Sequence, residues 1–586
     1  MSQARRHGGQ ILVDALKLHG VNRVFSVPGE SFLPVLDGLY ESGITNIVCR
    51  HEGGAAMMAE ATGKLTGRPG ICLVTRGPGA SNASSGVHVA RQDSTPMILF
   101  IGQIARGHRD REAFQEVDYR AMFGPLAKWV AEIDDVRRIP EYLARAFHVA
   151  MSGRPGPVVL ALPEDMLFDE AEVPDLPPSA PSRAGVSDAD LDALLGALAK
   201  AERPLVIAGG GSWSDQARAN LQSFAEILDL PVAVTFRRHT AMDNRSASYV
   251  GDLAVGMNPK LAARLKAADL LLIMGARFGD IATDGFSLID PAQPGKIILW
   301  VHPDPDLPGA VFRSDLTLTA RTETVLAALA ARLPATASGA DGSQDDSLAG
   351  EGALVTKAAR QSPAAWSAWR AEARADYKAW QRPKETPGAV KLEQVMDWLV
   401  TRFDGACCMT MGAGNYAGFV SRYAKVTRRD GLLGPTSGSM GYGFPAAIAA
   451  KLQSPDLPVI CFAGDGCFQM TLNEMSTAAQ HGAAVIVIVA NNGQYGTIRA
   501  HQEREFPARV SGTKLANPDY AALARAYGGH GETVTDGADF PAAFERADAS
   551  GKISVIELQL DPEALSHGAT LTQARERGLA LQAAKG

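Results

Sequence analysis

The 586-residue sequence has few cysteines, no long apolar run and no excess of positive charge. Its six cysteines show no spacing typical of a metal site, so we expect buried, reduced thiols. No stretch approaches the roughly 20 apolar residues that a membrane helix needs, and the polar N-terminus does not resemble a signal peptide. A net charge of -7 without a basic stripe gives no support for nucleic-acid binding. These absences favour a cytoplasmic protein that has neither a membrane nor a nucleic acid as its partner.

The composition that remains favours several α/β domains. Hydrophobic residues make up 46% of the chain, and its 59 glycines fit a turn-rich α/β protein better than a disordered or fibrous one. At this length we expect about three or four domains. Apolar runs that alternate with helical segments predict largely parallel sheets flanked by helices.

Two shifts in composition divide the chain. The first is a proline-rich linker at 173–181, and the second is a stretch rich in Ala, Ser, Gly and Asp at 335–352, which we expect to be a mobile surface segment. The predicted segments are an amino-terminal domain at 1–172, a central Rossmann-like domain at 188–334, a linker and helix at 335–385, a carboxy-terminal domain at 386–562 and a tail at 563–586.

The most informative motif is GDG at 464–466, which is followed about 25 residues later by Asn491-Asn492. The apolar runs at 457–463 and 483–490 predict buried strands, with a tight turn at the GDG and a helix over 471–481 between them. By the right-handed crossover rule both strands end at the same edge of a parallel sheet, where such sheets bind ligands.

The side chains at that edge suit a metal ion. The Asp465 carboxylate and the Asn492 amide oxygen are hard ligands for a small cation, such as Mg²⁺, that bridges to phosphate. The alternative is two ordinary turns, because Asp-Gly and Asn-Asn are both common in turns.

A second motif lies far upstream, where Glu52 stands at the turn into an Ala- and Met-rich helix. A glutamate there also suits the helix dipole, which is its structural alternative. Together the two motifs resemble the thiamine diphosphate (ThDP) enzymes, and most closely the acetolactate synthase-like family of acetohydroxyacid synthase, pyruvate oxidase and benzaldehyde lyase. The resemblance implies a pyrimidine-binding amino-terminal domain and a diphosphate-binding carboxy-terminal domain around a Rossmann-like one. In it, Glu52 holds the pyrimidine ring and promotes loss of the thiazolium proton.

The same resemblance assigns the rest of the cofactor site. In the glycine-rich loop at 434–447, the Gly438 carbonyl accepts a hydrogen bond from the cofactor's amino group and Met440 wedges beneath the bent cofactor. The backbone carbonyl of Gln494 is the third metal ligand. The implied cofactor-binding residues are Glu52, Asn415, Tyr416, Gly438, Met440, Asp465, Gly466, Cys467, Asn492, Gln494 and Tyr495, with Asp465, Asn492 and Gln494 as metal ligands.

On the substrate side the resemblance points to Gln115, in the segment Phe-Gln-Glu, and to Glu30 as catalytic residues beside Glu52. A surface Gln or Glu is more often simply solvated, which is the alternative for both. In the central domain the glycine segments at 209–211 and 275–278 resemble those that hold FAD in this branch. ADP, a CoA tail or no ligand remain as alternatives.

Several positions depart from the family pattern. Ile281 stands where acetolactate synthases carry the Arg that binds the incoming 2-keto acid's carboxylate, and an Ile cannot replace that clamp. Glu30 is an acid where the synthases have glycine, as in simple 2-keto acid decarboxylases, whereas Ile498 is typical of the synthase branch. Tyr416 replaces a His. The acceptor pocket is therefore expected to be altered.

The resemblance implies an enzyme that uses ThDP and Mg²⁺ to make or break a C–C bond beside a carbonyl. We expect decarboxylation of a 2-keto acid with carboligation. The alternatives are a lyase or decarboxylase of benzaldehyde lyase, oxalyl-CoA or 2-hydroxyacyl-CoA type, acting on a hydroxy ketone or acyl-CoA, and a catalytically silent ThDP-binding subunit. Because Glu52 and Asp465 lie in different domains, we expect shared active sites in a homodimer or homotetramer.

Overall fold

A computed structural model describes residues 5–211, 213–333, 363–566 and 568–584. The chain forms two compact units. The first contains the described residues up to Pro181, those of Pro383–Ala424 and those from Leu433 onward, and the second contains those of Ser182–Arg382 and Lys425–Leu432. The segment at 335–352, predicted to be mobile, lies outside the described residues.

The amino-terminal part of the first unit is built on a six-stranded parallel sheet. In spatial order its strands are Thr45–Val48, Arg23–Ser26, Gly70–Val74, Met97–Gln103, Pro157–Pro163 and Trp129–Glu132. Its α-helices are Gly8–Leu18, Leu33–Leu39, Glu52–Thr66, Pro78–Asp93, Tyr119–Phe123, Ile139–Met151 and Glu164–Phe168, with 3-10 turns at Glu30–Phe32, Arg106–His108 and Val136–Arg138. A short antiparallel pair joins Arg6–His7 to Glu170–Ala171.

The carboxy-terminal part of the same unit has its own six-stranded sheet, whose long strands run parallel. In spatial order the strands are Leu432–Leu433, Cys408–Met411, Val459–Gly464, Ile486–Asn491, Ser554–Gln559 and His530–Val534. The α-helices are Leu392–Phe403, Tyr416–Tyr423, Gly443–Gln453, Asp465–Gln469, Met475–Gln480, Gly496–Glu505, Tyr520–Ala526, Phe540–Ala549 and Leu571–Ala583, with 3-10 turns at Leu472–Glu474 and Gly537–Asp539.

The second unit is a third six-stranded parallel sheet with helices. Its strands, in spatial order, are Tyr249–Leu253, Val232–Thr235, Pro204–Ala208, Leu270–Met274, Ile297–Val301 and Leu316–Leu318. Its α-helices are Asp188–Leu198, Asp215–Ile227, Pro259–Ala267, Thr322–Arg332 and Pro363–Trp380, with 3-10 turns at His239–Ala241 and Ile281–Thr283. The helix Pro363–Trp380, predicted to lead into the last domain, packs against this unit's edge strand. The Trp369 indole N–H donates to the Pro204 carbonyl at 2.9 Å.

Small residues let the two halves of the first unit pack closely. The helix Glu52–Thr66 lies against the helix Gly443–Gln453, and the contact is made of buried alanines and glycines such as Ala55 and Ala446. Close approach of the two backbones compensates for the weak helix propensity of the glycines. The amino-terminal and carboxy-terminal sheets therefore share one hydrophobic core.

These observations confirm the predicted fold class of three domains with largely parallel sheets flanked by helices. The residue-level domain boundaries stay predictions. All six cysteines are buried thiols. Among the residues that the structure describes, no helix is long and apolar enough to cross a membrane. The cytoplasmic location stays a prediction.

Candidate cofactor site

A cavity of about 260 Å³ lies at the carboxyl edge of the carboxy-terminal sheet. The parallel register sets Gly464 beside Ala490, so the GDG and Asn-Asn motifs meet at one edge, as the crossover rule predicts. Ten of the predicted cofactor-binding residues line the cavity, namely Asn415, Tyr416, Gly438, Met440, Asp465, Gly466, Cys467, Asn492, Gln494 and Tyr495. Side chains that the sequence did not point to complete the wall, among them Leu392, Phe419, Leu560, Ala564 and Leu565.

The chain after Gly464 differs from the prediction. A tight turn was expected at the GDG, but Asp465 begins the short helix Asp465–Gln469, and the predicted helix over 471–481 starts as a 3-10 turn. The first backbone N–H groups of a helix have no partner in the preceding turn. The Gly466 N–H donates to the Asp465 Oδ1 at 2.9 Å. This short helix sets the aspartate rigidly at the strand end.

Asp465 is held by hydrogen bonds on both carboxylate oxygens. Its Oδ2 accepts from the Gly493 N–H at 2.9 Å and from the Asn517 amide at 2.7 Å. Burial raises the pKa of Asp465, and these hydrogen bonds oppose the rise. Asn517 also donates to the Asn491 Oδ1 at 2.8 Å, so it ties the two motifs together. The sequence analysis missed Asn517, whose only local signal is the proline that follows it.

The remaining two predicted metal ligands lie nearby with partners of their own. The Asn492 Oδ1 accepts weakly from the Gln494 N–H at 3.3 Å. The Gln494 carbonyl accepts from the Gly496 N–H at 2.9 Å, which leaves its second lone pair for another partner. The Gln494 side chain donates to the Pro562 carbonyl at 2.9 Å, which connects the loop to the chain's last segment.

Tyr416 and Cys467 fix the glycine loops beside the cavity. The Tyr416 hydroxyl accepts from the Gly412 N–H at 3.1 Å and lies 3.3 Å from the Cys467 sulfur. That sulfur also accepts from the Gly441 N–H at 3.1 Å. A Cβ on Gly412 would lie 2.6 Å from the sulfur, so only glycine fits there. The tyrosine that replaces the family's His thus has a structural use.

The loop that carries Gly438 and Met440 is anchored by the amino-terminal half of the same unit. Gly438 has a φ of +66°, which favours glycine, and open space where a Cβ would be. The Asp93 carboxylate accepts from the Thr436 N–H at 2.7 Å, and the Tyr442 hydroxyl donates to the Glu60 carboxylate at 2.6 Å. Lys64 bridges Asp93 and Glu60. A buried charged network therefore positions this loop.

Glu52 occupies a different place from the ten residues of the cavity. It is the first residue of the helix Glu52–Thr66, is half-buried, and accepts a hydrogen bond from the Asn82 side chain at 2.9 Å. It is not among the described residues that line the cavity. The loop before it is held by the buried Glu474, which accepts from the backbone N–H groups of Arg50 and His51. Burial raises the pKa of Glu474.

Glu30 and Gln115 each lie beside the turn Arg76-Gly77, since Glu30 is 3.5 Å from Arg76 and a Cβ on Gly77 would lie 2.8 Å from the Gln115 Cβ. Neither lines the cavity. Glu30 is exposed, whereas Gln115 is partly buried with a φ of +66°, a conformation that is strained for a residue with a side chain. Such strain is concentrated at functional sites.

In the central domain the two glycine segments pack on each other. A Cβ on Gly210 would lie 1.9 Å from the Gly275 carbonyl oxygen, and one on Gly275 would lie 2.7 Å from the Gly209 carbonyl oxygen. Backbone packing therefore requires these glycines, whether or not a nucleotide binds beside them. FAD stays a prediction.

Comparison with known proteins agrees with these features. Three family models match: the N-terminal TPP binding domain of thiamine pyrophosphate enzymes over 6–122, their central domain over 191–329 and their C-terminal TPP binding domain over 412–558. The chain is 30% identical over 534 residues to the acetolactate synthase isozyme 2 large subunit of Escherichia coli K12, covering 90% of this chain and 91% of the relative.

Two further relatives have similar coverage. The acetolactate synthase large subunit of Parasynechococcus marenigrum is 30% identical, with 90% of this chain and 83% of the relative covered. That of Corynebacterium glutamicum is 29% identical, with 93% of this chain and 85% of the relative covered. The predicted resemblance, ThDP as a cofactor and the class of enzyme are thereby confirmed, and Mg²⁺ stays a prediction. The chain belongs to the acetolactate synthase-like family of ThDP-dependent carboligases and decarboxylases.

Proposed function

We propose that this protein binds ThDP together with Mg²⁺, decarboxylates a 2-keto acid and joins the remaining fragment to a second carbonyl compound. The observation that supports the proposal most is the gathering of ten family-type residues around one cavity at a sheet edge. Bound ThDP supplies a carbon nucleophile and an electron sink next to the substrate carbonyl.

The residues of the cavity fit the cofactor and its metal. Carboxylate, amide and carbonyl oxygens from Asp465, Asn492 and Gln494 form the hard ligand set that Mg²⁺ prefers. Burial disfavours the charged Asp465 carboxylate and raises its pKa. A bound dication offsets this cost of burying the charge. Gly466 keeps the backbone close to Tyr495, since a Cβ there would lie 2.5 Å from the ring. Backbone N–H groups at the start of a helix suit diphosphate oxygens, and the Gly466 N–H would exchange its bond to the Asp465 Oδ1 for one to the cofactor.

Glu52 is proposed to hold and release the proton at the pyrimidine ring. It does not line the described cavity of its own chain, and we propose that a second copy brings its Glu52 to that cavity. The minimal active form is then a symmetric homodimer with two shared sites, and pairs of dimers give a tetramer. Gln115 and Glu30, at the same sheet edge as Glu52, are proposed to contact the substrate.

A lyase that acts on a hydroxy ketone or an acyl-CoA is the second candidate. The observation that favours it is Ile281, which removes the acceptor-binding Arg of acetolactate synthases. FAD in the central domain is proposed only as a structural ligand. The visible absorption spectrum of the purified protein shows whether FAD is bound.

The deciding experiment loads the purified protein with ThDP and Mg²⁺ and supplies separate pools of 2-keto acids, 2-hydroxy ketones and acyl-CoA thioesters. Mass spectrometry of the products, with Asp465→Ala as the control that cannot hold the metal, identifies the class. Carbon dioxide release with formation of a hydroxy keto acid is the expected result. Cleavage of hydroxy ketones or thioesters alone would favour the lyase, and no turnover of any pool would overturn the proposal.

A further inference from the structure

An arginine lies among the carboxyl ends of the amino-terminal strands. Arg76 follows the strand Gly70–Val74, Glu30 follows Arg23–Ser26 and Glu164 follows Pro157–Pro163. These strands belong to one parallel sheet, so the three side chains meet at one edge. Such edges are where parallel sheets bind ligands.

The Arg76 guanidinium is well fixed on two sides and loosely paired on the third. Its side chain is 9% exposed. Its Nη1 donates to the Glu164 carboxylate at 2.9 Å, and its Nε donates to the Phe114 carbonyl at 3.4 Å. Its Nη2 lies 3.5 Å from the carboxylate of Glu30, a side chain that is 69% exposed. A carboxylate that binds the Nη2 group more tightly than Glu30 does can therefore displace Glu30 from it.

The same turn touches two residues that the family resemblance connects with catalysis. A Cβ on Gly77 would lie 2.8 Å from the Gln115 Cβ, so the strained Gln115 packs directly on the turn after Arg76. A Cβ on Gly79 would lie 3.3 Å from the Glu52 Oε1. The Gly77 N–H donates to the Tyr119 hydroxyl at 2.8 Å, which fixes the backbone. Arg76 thus begins the turn whose glycines contact Gln115 and Glu52.

Resting on the proposed function, we propose that Arg76 binds the carboxylate of the acceptor 2-keto acid, which replaces Glu30 at the Nη2 group. The Glu30 carboxylate already lies at this position, so the position accepts a negatively charged oxygen group. The Nη2 group can donate a charge-assisted hydrogen bond to such a carboxylate, and the fixed guanidinium plane sets the direction of that bond. Arg76 of the amino-terminal domain would then bind the acceptor carboxylate in place of the Arg that is absent from the central domain, where Ile281 stands.

The acceptor, and not the donor, is the substrate whose carboxylate this arginine holds. The donor loses its carboxylate as carbon dioxide, and a tight ion pair would oppose that loss. The acceptor keeps its carboxylate through bond formation, so an ion pair with Arg76 orients its carbonyl throughout. Arg76 is accordingly a residue that determines acceptor specificity.

The test is a competition between two acceptors on the holoenzyme. Pyruvate serves as the donor and as the charged acceptor, and acetaldehyde is the neutral acceptor. The ratio of acetolactate to acetoin is measured for wild type, Arg76→Gln, Arg76→Lys and Glu30→Gln. The exposed Arg111, on the same loop as Gln115, is the matched control as Arg111→Gln and keeps the wild-type ratio.

Arg76→Gln is expected to lower the ratio by about 10- to 100-fold, the range for loss of a charge-assisted hydrogen bond. Arg76→Lys restores part of it, and Glu30→Gln raises it because the competing carboxylate is gone. An unchanged ratio in Arg76→Gln overturns the inference, as does an equal loss of both products. If Arg76→Gln does not fold, the absence of a rise in Glu30→Gln overturns it. Wild type that releases no carbon dioxide from any 2-keto acid fails the proposed function itself, whereas wild type that releases it without forming acetolactate fails only this inference.

Discussion

The cavity of the carboxy-terminal sheet and the edge of the amino-terminal sheet differ in one decisive respect. The first collects its functional groups around one enclosed space, since ten predicted residues line a single cavity. The second presents Glu52, Glu30, Arg76 and Gln115 along an edge, and none of the four is among the described residues of the cavity wall. Under the proposed function, these two regions of one chain belong to two different shared sites.

The two regions also differ in where the hydrogen bonds that position their residues come from. Asp465 of the cavity is stabilised within its own domain, by Gly493 and Asn517. The backbone just before Glu52 is held from outside its domain, because it donates to Glu474 of the carboxy-terminal half. The amino-terminal half, which carries the proposed catalytic Glu52, is thus linked to the carboxy-terminal half of its own chain.

The largest expected effect comes from mixing two inactive variants. Glu52→Gln alone should lose about 10²- to 10⁴-fold in carboligation, the usual contribution of a proton-transfer group, and Asp465→Ala should lose cofactor binding. Refolded together in equal amounts, they should regain about a quarter of wild-type activity, because half of the dimers are mixed and each has one intact site. Carbon dioxide release is the measurement, and each variant mixed with itself is the control. No recovery would mean that both residues serve the same chain's site.

Local sequence predicted the sheet edge at which the GDG and Asn-Asn motifs meet, because the crossover rule places the ends of the two parallel strands together. It indicated the other cavity residues and Glu52 only through the family resemblance, and the role of Glu52 stays a prediction. It missed Asn517 and Glu474, whose partners lie 52 and 424 residues away in sequence and meet them only through the fold. It also missed Leu565, which reaches the cavity from the predicted tail. Long-range contacts of polar side chains have no periodicity or motif that a single sequence can reveal.

The next largest effect concerns the link between the two halves. Glu474→Ala leaves the N–H groups of Arg50 and His51 without their acceptor, at about 1–3 kcal/mol for each unsatisfied group. We expect thermal unfolding at a clearly lower temperature and a lower rate of proton exchange at the thiazolium carbon. The control Glu545→Ala breaks only the exposed ion pair with Arg402 and should cost at most about 1 kcal/mol. Equal stability of the two variants would contradict the link.

A smaller effect isolates the cavity. Asn517→Ala removes the hydrogen bond to the Asp465 Oδ2, and loss of such a partner behind a metal ligand typically weakens metal binding about 10- to 100-fold. Titration calorimetry of Mg²⁺ in the presence of ThDP measures the change directly. Asn473→Ala, in the 3-10 turn Leu472–Glu474, is the control. Mg²⁺ affinity that is equal in the two variants would show that Asn517 does not orient the aspartate.

The smallest effect tests whether the tail belongs to the cavity half. The helix Leu571–Ala583 docks on Gly496–Glu505, whose first residues line the cavity, through the ion pair of Arg575 with the buried Glu503 at 2.9 Å. The Arg575 hydrogen bond lowers the pKa of Glu503 to about 2. A carboxyl with a lowered pKa in the folded state stabilises the protein above its ordinary pKa, and this contribution is lost as pH falls. Arg575→Ala should therefore destabilise by about 1 kcal/mol at pH 7, because Arg499 still pairs with Glu503.

The pH dependence distinguishes this ion pair from simple packing. The difference in unfolding free energy between wild type and Arg575→Ala should stay constant above about pH 4.5, the ordinary range of a glutamate, and shrink as pH falls toward 2. Chemical denaturation at several pH values measures it, with the exposed Arg577→Ala as the matched control. A difference that does not change with pH would assign the tail's contribution to apolar contacts such as those of Leu571. In either case, a weaker affinity for ThDP in Arg575→Ala would show that the tail supports the cavity wall.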